Sequence, residues 1–371
     1  MAERRAAEVF PPGDFIKEEL ESRDWSQTEL AEIMGRSPKE ISDLISGKRT
    51  ISLEIARELG AAFGTSAQYW RNLDSSYQLG RSGVVHDAIV RRARLYQFAP
   101  IKEMVKRHWL EASENVAVLE KRVMQFYGAS SLNERINLPH AARRGAHEIS
   151  QAQWAWLFRA KQLARAVPAK PFSAQLFKHG LSELKNLLPS TQEVRHVPRL
   201  LGEAGIRFLV LEHLPKTRID GVVFWLDAKA PVVVLSLRYD RIDCFWYTLA
   251  HELGHVERRD AWKLDTDIVG EDAESSDEEV ERQADSFAAD FLVRQSDLDD
   301  FIRRIGPLYS TRRILGFAST MHVHPGIVVG QLQFRREVPW SAFRPMLDKV
   351  RHIVTQSALT DGWGQVPPAL T

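Results

Sequence analysis

Residues 247–260, YTLAHELGHVERRD, carry two histidines and a glutamate at a spacing suited to metal chemistry. His251 and His255 stand four apart, so on a helix they share one face. Both imidazoles can then hold a single ion, with Glu252 beside them to take a proton from the water the ion activates. Leu249, Ala250, Leu253 and Val256 supply the apolar positions of that helix, and no proline interrupts it. A catalytic zinc takes three protein ligands and keeps a fourth position open. Downstream, residues 278–293 (EEVERQADSFAADFLV) place Val280, Ala284, Phe287, Ala288 and Phe291 at helical spacing. Glu281 on this second helix is the expected third ligand. Asp285, one turn on, is placed to accept the N–H of His251 or of His255 and fix its tautomer. Taken alone, the glutamates at 278, 279 and 281 read as a solvated acidic face. The upstream histidine helix is what favours a ligand. Zn2+ is the default ion for two histidines and a carboxylate, and Mn2+ or Fe2+ can use the same donors.

Together the two motifs, HELGH and E-x-x-A-D-x-F-A, resemble those of the ImmA/IrrE family of metallopeptidase-like domains. The E-x-x-x-D arrangement is also similar to that of thermolysin-like zinc peptidases. The resemblance covers roughly residues 198–292, and the pair of motifs is more specific than either alone. It implies His251, His255 and Glu281 as ligands, Glu252 as base and Asp285 behind a ligand. It also implies cleavage of a regulatory protein, such as a repressor.

The surrounding pattern is mixed. VPRLLGEAG reads as a helix closed by Gly205, followed by strands in IRFLVLEHL, GVVFWLD and PVVVLSL. A small sheet packed on two metal-bearing helices is an α+β arrangement, zincin-like by resemblance. The acidic stretch 265–279 reads as a loop near the site. Later helical segments run to about residue 333 and include His322 and His324. That pair can stabilise an oxyanion or add a ligand, or form the turn before the helix GIVVGQLQF. Residues 366–371 are expected to fray.

Residues 1–80 read as a compact all-α unit of five short helices. Asp14 is a candidate cap for the first. Ser26 with Glu29, and Ser37 with Glu40, fit capping boxes, and Pro38 occupies the favoured first position. Gly35, Gly47 and Gly64 end helices, while Ser52 and Ser66 start them. The pair QTELAEIM and PKEISDLIS has helix-turn-helix proportions. These segments, with S-A-Q-Y-W-R-N-L, resemble the XRE/Cro-type DNA-binding fold and its HigA-type antitoxin subset. That resemblance implies a double-stranded DNA partner. Arg36, Ser37, Lys39, Glu40 and Ser42 would face the bases, Lys48 and Arg49 the phosphates, and Gln27 a backbone contact. A homodimer reading two half-sites is implied as well. Against this, residues 1–80 hold 14 Asp and Glu but 10 Lys and Arg, a net of −4, which weakens nonspecific phosphate attraction.

Residues 81–190 read as a helical connector, with basic runs near Arg91, Arg92 and Arg94 and aromatic core positions at Trp154, Trp156 and Phe158. With residues 191–371 as the metallopeptidase-like domain, the fold class is multidomain, α plus α+β. The chain of 371 residues suits two or three domains, and its net charge of +1 argues neither for nor against nucleic acid. Its one cysteine, Cys244, excludes an intrachain disulfide and a thiolate-rich zinc site, which suits a reducing cytosol. MAERRAAEVFPPGD lacks the apolar core of a secretory signal, and no apolar run could span a bilayer. A soluble cytoplasmic protein without a membrane partner is therefore expected. The reading is a DNA-binding transcriptional regulator carrying a zinc-dependent endopeptidase that cuts a repressor or a toxin–antitoxin partner. The alternative is a HigA-like antitoxin or regulator whose metal domain senses or scaffolds without proteolysis.

Overall fold

The structure is a computed structural model that describes residues 10–81, 87–130, 149–260, 263–266 and 279–361. It divides into two compact units, Met1–Val90 and Arg91–Thr371.

The first unit begins with α1 (Pro12–Ser22), α2 (Gln27–Met34), α3 (Pro38–Ile45), α4 (Leu53–Phe63) and α5 (Ala67–Arg81). Serines start four of these helices: Ser26, Ser37, Ser52 and Ser66 each accept the backbone N–H three residues on. Glu29 and Glu40 return the bond to complete capping boxes. Gly35 and Gly64 end α2 and α4 in the left-handed conformation, at φ 65° and 69°. Asp14 is not a cap. The helix starts earlier, after Pro11, and Asp14 pairs instead with Lys17 in the first turn. Ile16, Leu30, Ile41, Ile55, Leu59 and Trp70 form the core.

The second unit is built on a sheet. Four helices come first: α6 (Asp87–Phe98, crossing the unit boundary), α7 (Ile101–Lys106), α8 (Val116–Tyr127) and α9 (Gln151–Ala164). Next come α10 (Ala174–Lys185), α11 (Val197–Glu203), β1 (Arg207–Leu211), β2 (Ile219–Trp225) and β3 (Pro231–Leu235). The chain continues through α12 (Ile242–Arg258), β4 (Lys263–Thr266), α13 (Glu279–Leu292), α14 (Gln295–Ile305), α15 (Thr311–Met321) and α16 (Pro325–Phe334). It closes with α17 (Arg351–Val354) and β5 (Leu359–Asp361). The strand order is β4-β2-β3-β1-β5. β1 runs parallel to β3 and β5, whereas β2 is antiparallel to β3 and β4.

Strands covered on both faces need apolar residues at every position, and the run PVVVL of β3 is buried throughout. Phe208, Val210, Val223, Val233 and Leu235 point to one core, shared with α10 to α16. Leu209, Leu211, Val222, Phe224, Val232 and Val234 point to the other, where they meet Leu95, Trp109, Val123, Trp156 and Leu163. Of the expected connector at 81–190, α6 to α9 line this second core and α10 the first. Helical period marks an apolar stripe but not its partner, and here the stripes of α6 to α9 cover a sheet formed later in the chain. The three expected strands are present. The sequence reading did not anticipate β4 or β5. β4 occupies the start of the acidic stretch 265–279, whose remainder falls outside the described residues, as do residues 366–371.

One buried ion pair ties two of these layers together. Arg159 of α9 bonds Asp361 of β5, with side chains 3% and 1% exposed. Removing one partner of such a pair strands a charge in the core. Asp361→Ala is expected to cost about 3–5 kcal/mol in urea unfolding, and the double change Arg159→Met with Asp361→Leu to recover most of it. A single-variant loss below about 1 kcal/mol, the range of exposed pairs, would show that the pair is solvated.

Candidate metal centre

Small residues bring the two site helices together. A Cβ on Gly254 of α12 would lie 3.3 Å from the Ala284 Cα and 3.2 Å from a Phe287 ring carbon on α13. Even a methyl group there would press the Ala284 backbone and the Phe287 ring outward by a few tenths of an ångström. The result is a short reach from Glu281 on α13 to the histidines of α12.

The structure brings His251, His255 and Glu281 into one group. The two histidine Nε2 atoms are 3.1 Å apart. One glutamate oxygen, Glu281 Oε2, is 3.4 Å from each of them. Both imidazoles are fully buried and Glu281 nearly so. The outer nitrogens are held as well. His251 Nδ1 lies 3.0 Å from Asp285 Oδ1, and His255 Nδ1 lies 2.9 Å from Asp260 Oδ2. A carboxylate only accepts, so the His251 Nδ1 carries the proton and its Nε2 presents a lone pair inward; His255 Nδ1 faces Asp260 in the same way, with Arg258 Nη2 also 3.1 Å from it. Three electron-pair donors thus converge within 3.4 Å, and a cation between them removes their mutual repulsion. Ligands about 2.0–2.1 Å from a tetrahedral zinc stand about 3.4 Å from one another, so the residues present fit such an ion.

Asp285 serves His251, which resolves the choice the spacing left open. It also accepts the Tyr247 hydroxyl at 2.9 Å. Burial, with the charge of Asp285 second, pushes the Tyr247 phenol well above its ordinary value, so it stays a donor. Sequence reasoning missed Asp260. Arg259, at φ 58°, turns the chain back at the end of α12 and returns Asp260 to His255. Arg258 holds Asp260 in place through Nε at 3.1 Å.

Gly221 of β2 was also missed. Glu252 is fully buried, and its Oε1 lies 1.9 Å from where a Cβ on residue 221 would stand. The carboxylate therefore sits in a gap that only glycine leaves in the strand. His322 and His324 are not in the group with His251. His322 ends α15 at φ 53°, and His324 caps α16 by accepting the Gly326 N–H at 3.1 Å. Its ring lies beside the position of Ile242 in the first turn of α12. Nine residues separate that turn from His251, about 13 Å at 1.5 Å per residue.

In the first unit, four of the residues singled out for DNA are used internally. Arg36 pairs with Glu58 and Glu40, Ser37 and Glu40 form a capping box, and Arg49 pairs with Glu40. The Ser37 backbone and the Arg49 guanidinium together hold the Glu40 carboxyl down at about 2. Gln27, Lys39, Ser42 and Lys48 are exposed. Among the described residues their side chains make no hydrogen bond or ion pair.

These two arrangements define a helix-turn-helix protein joined to a peptidase-like α+β domain. Residues 16–70 match the helix-turn-helix family, and residues 203–315 match the IrrE N-terminal-like domain of the M78 peptidases. The chain belongs to the helix-turn-helix family through its first unit and carries an IrrE-like domain in its second. It is 35% identical over 71 residues to YddM, an uncharacterized HTH-type transcriptional regulator of Escherichia coli (strain K12), covering 19% of this chain and 76% of the relative. It is 33% identical over 84 residues to virulence-associated protein A' of Dichelobacter nodosus, covering 22% and 73%. The solved structure of Pseudomonas aeruginosa antitoxin HigA with the higBA promoter is similar at 36% identity and a TM-score of 0.20, covering 20% and 83%.

Gly221→Ala is expected to displace Glu252 while His251, His255 and Glu281 keep their places. Zinc stoichiometry should then stay near wild type, whereas any Glu252-dependent reaction falls by two orders of magnitude or more, the scale of a lost general base. Full activity in this variant would show that the Glu252 carboxylate does not need the gap.

Proposed function

We propose that this chain is a DNA-binding transcriptional regulator whose second unit is a zinc-dependent endopeptidase acting on a regulatory protein. The observation that carries the proposal is the triangle of His251 Nε2, His255 Nε2 and Glu281 Oε2, with edges of 3.1, 3.4 and 3.4 Å. A divalent cation held there supplies polarisation of an amide carbonyl and acidification of a water. Zinc suits two histidines and a glutamate best, and manganese or iron would use the same donors. Glu252, adjacent to His251 and seated against Gly221, accepts the proton of the attacking water and delivers it to the leaving amine. Asp285 and Asp260 keep both imidazoles in the ligating tautomer. A repressor or a toxin–antitoxin partner is the class of substrate that the coupling to a helix-turn-helix unit favours.

DNA contact falls to Gln27, Lys39, Ser42 and Lys48, the exposed members of the set, with Ser37 and Arg49 at its edge. Arg36 and Glu40 instead fix the shape of the reading helix. A homodimer follows from the two half-sites that such units read. Among the described residues no helix is long and apolar enough to cross a membrane.

A second reading, a metal site that senses or scaffolds without cutting, draws support from the burial of His251, His255 and Glu252. Closed sites of that kind are common for structural ions.

Elemental analysis of protein purified without chelators is expected to give one metal per chain, lost in His251→Ala and in Glu281→Ala. Glu252→Gln should keep the ion. In cells, a new N-terminus in a regulatory protein should accompany the wild type and vanish with Glu252→Gln. Identical N-termini in the two strains would rule out the peptidase and favour the sensing site. For the first unit, Lys39→Ala with Lys48→Ala should weaken binding to a fragment selected from random DNA and flatten the log–log salt slope by about 2. An unchanged slope would remove these lysines from the interface.

A further inference from the structure

Neither motif accounts for a cavity that lies beyond His251 along the same face of α12. Tyr247 and Asp243 stand one and two turns before that histidine. The cavity is about 300 Å³, enclosed by α12, α13 and α16, and lined by Tyr247, Asp285, Ala289, Leu292, Ile327 and Phe334 among others. That is the lower end of the range for small-molecule sites, about 300–1,000 Å³.

The charged groups in its wall are already paired, and the Ser286 hydroxyl lines it as well. Asp243 accepts two nitrogens of Arg241, at 3.0 and 2.7 Å. Gln331 donates to the Ala289 carbonyl at 3.1 Å and accepts from Gln295 at 3.0 Å. Arg335 is paired with Asp299 and Gln295, and the Tyr247 hydroxyl is spent on Asp285. Cys244 adds a thiol that burial keeps protonated. A wall whose charged groups are paired from within asks for no charged guest, and its largely aliphatic and aromatic lining suits an apolar one. Its aromatic faces favour a flat one. The rings of Tyr247 and Phe334 are 6.0 Å apart at 34°, and Trp340 stands at the same opening. Phe334 is 44% exposed, which leaves an entrance.

We infer that this cavity binds a compact, uncharged aromatic molecule, and that the guest bears on the Tyr247–Asp285 pair that holds His251. Tyr247 is at once a wall of the cavity and the donor to Asp285, so a guest packed on its ring acts on the support of a ligand. The link to the ion rests on the metal reading proposed above; the cavity itself does not. If guest and ion are linked, each changes the other's affinity by the same factor.

The test is calorimetric titration of the full chain with 2-naphthol, first stripped of metal and then loaded with zinc. Saturable one-site binding is expected in both states, with different affinities. The ratio should equal the change that saturating 2-naphthol makes in zinc affinity. Ala289→Leu fills the cavity and should weaken 2-naphthol at least tenfold at an unchanged melting temperature. Should that variant fail to fold, Phe334→Ala, at the exposed edge, should weaken it severalfold. Absence of saturable binding to metal-free wild type, or undiminished binding in the variant that folds, would overturn the site. Equal affinity with and without zinc would overturn the coupling alone. Failure to take up zinc would count against the metal reading while leaving the metal-free titration decisive for the cavity.

Discussion

Two helices can share one ion only if their axes come close enough for a short side chain to bridge them, and the rest of the second unit depends on that closeness. At the crossing of α12 and α13 it is set by what is missing. Gly254 has no side chain, and its place is bordered by the Ala284 backbone and the Phe287 ring. A larger residue would press the two helices apart and draw Glu281 away from the histidines. The antiparallel run of the two helices orders the remaining contacts, with Tyr247 and His251 facing Asp285, and Arg258 reaching the Val280 carbonyl.

The sheet gives these helices a fixed floor. Its residues alternate between two cores, so a side chain turned the wrong way would be both lost to one layer and surplus in the other. Burial on both faces also leaves little room for the polar groups near the site, and the structure supplies each histidine with its own acceptor. His251 has Asp285 and His255 has Asp260. The geometry of the centre is therefore inherited from packing and from second contacts more than from the ligands themselves.

Much of this was legible where it rested on local rules. The i, i+4 relation puts His251 and His255 on one face of any helix, and an amphipathic period places Glu281 and Asp285 on another. The serine caps of the first unit are local too. What was not legible depends on distant pairings. Which histidine Asp285 serves is fixed by the direction in which the helices cross. Asp260 returns to His255 only because Arg259 adopts a left-handed conformation, which no periodicity announces. The helices α6 to α9 read as a connector because their partner surface is a sheet formed later in the chain, 55 residues on from Trp156 to Leu211 and farther for α6. The position of Arg36 and Glu40 beside the expected reading helix is visible in a sequence, whereas the partner Glu58 that Arg36 meets on another helix is not.

The gap at Gly221 ties the site to the pairing of the strands. Gly221 stands opposite Leu235 of β3 and Asp265 of β4, with an irregularity in the pairing beside it. A slip of one residue would put Asp220 or Val222 beneath α12 instead, and either side chain would fill the seat of Glu252. Glu252 would then be turned out of its seat. Correct strand alignment and a properly seated carboxylate are thus one event.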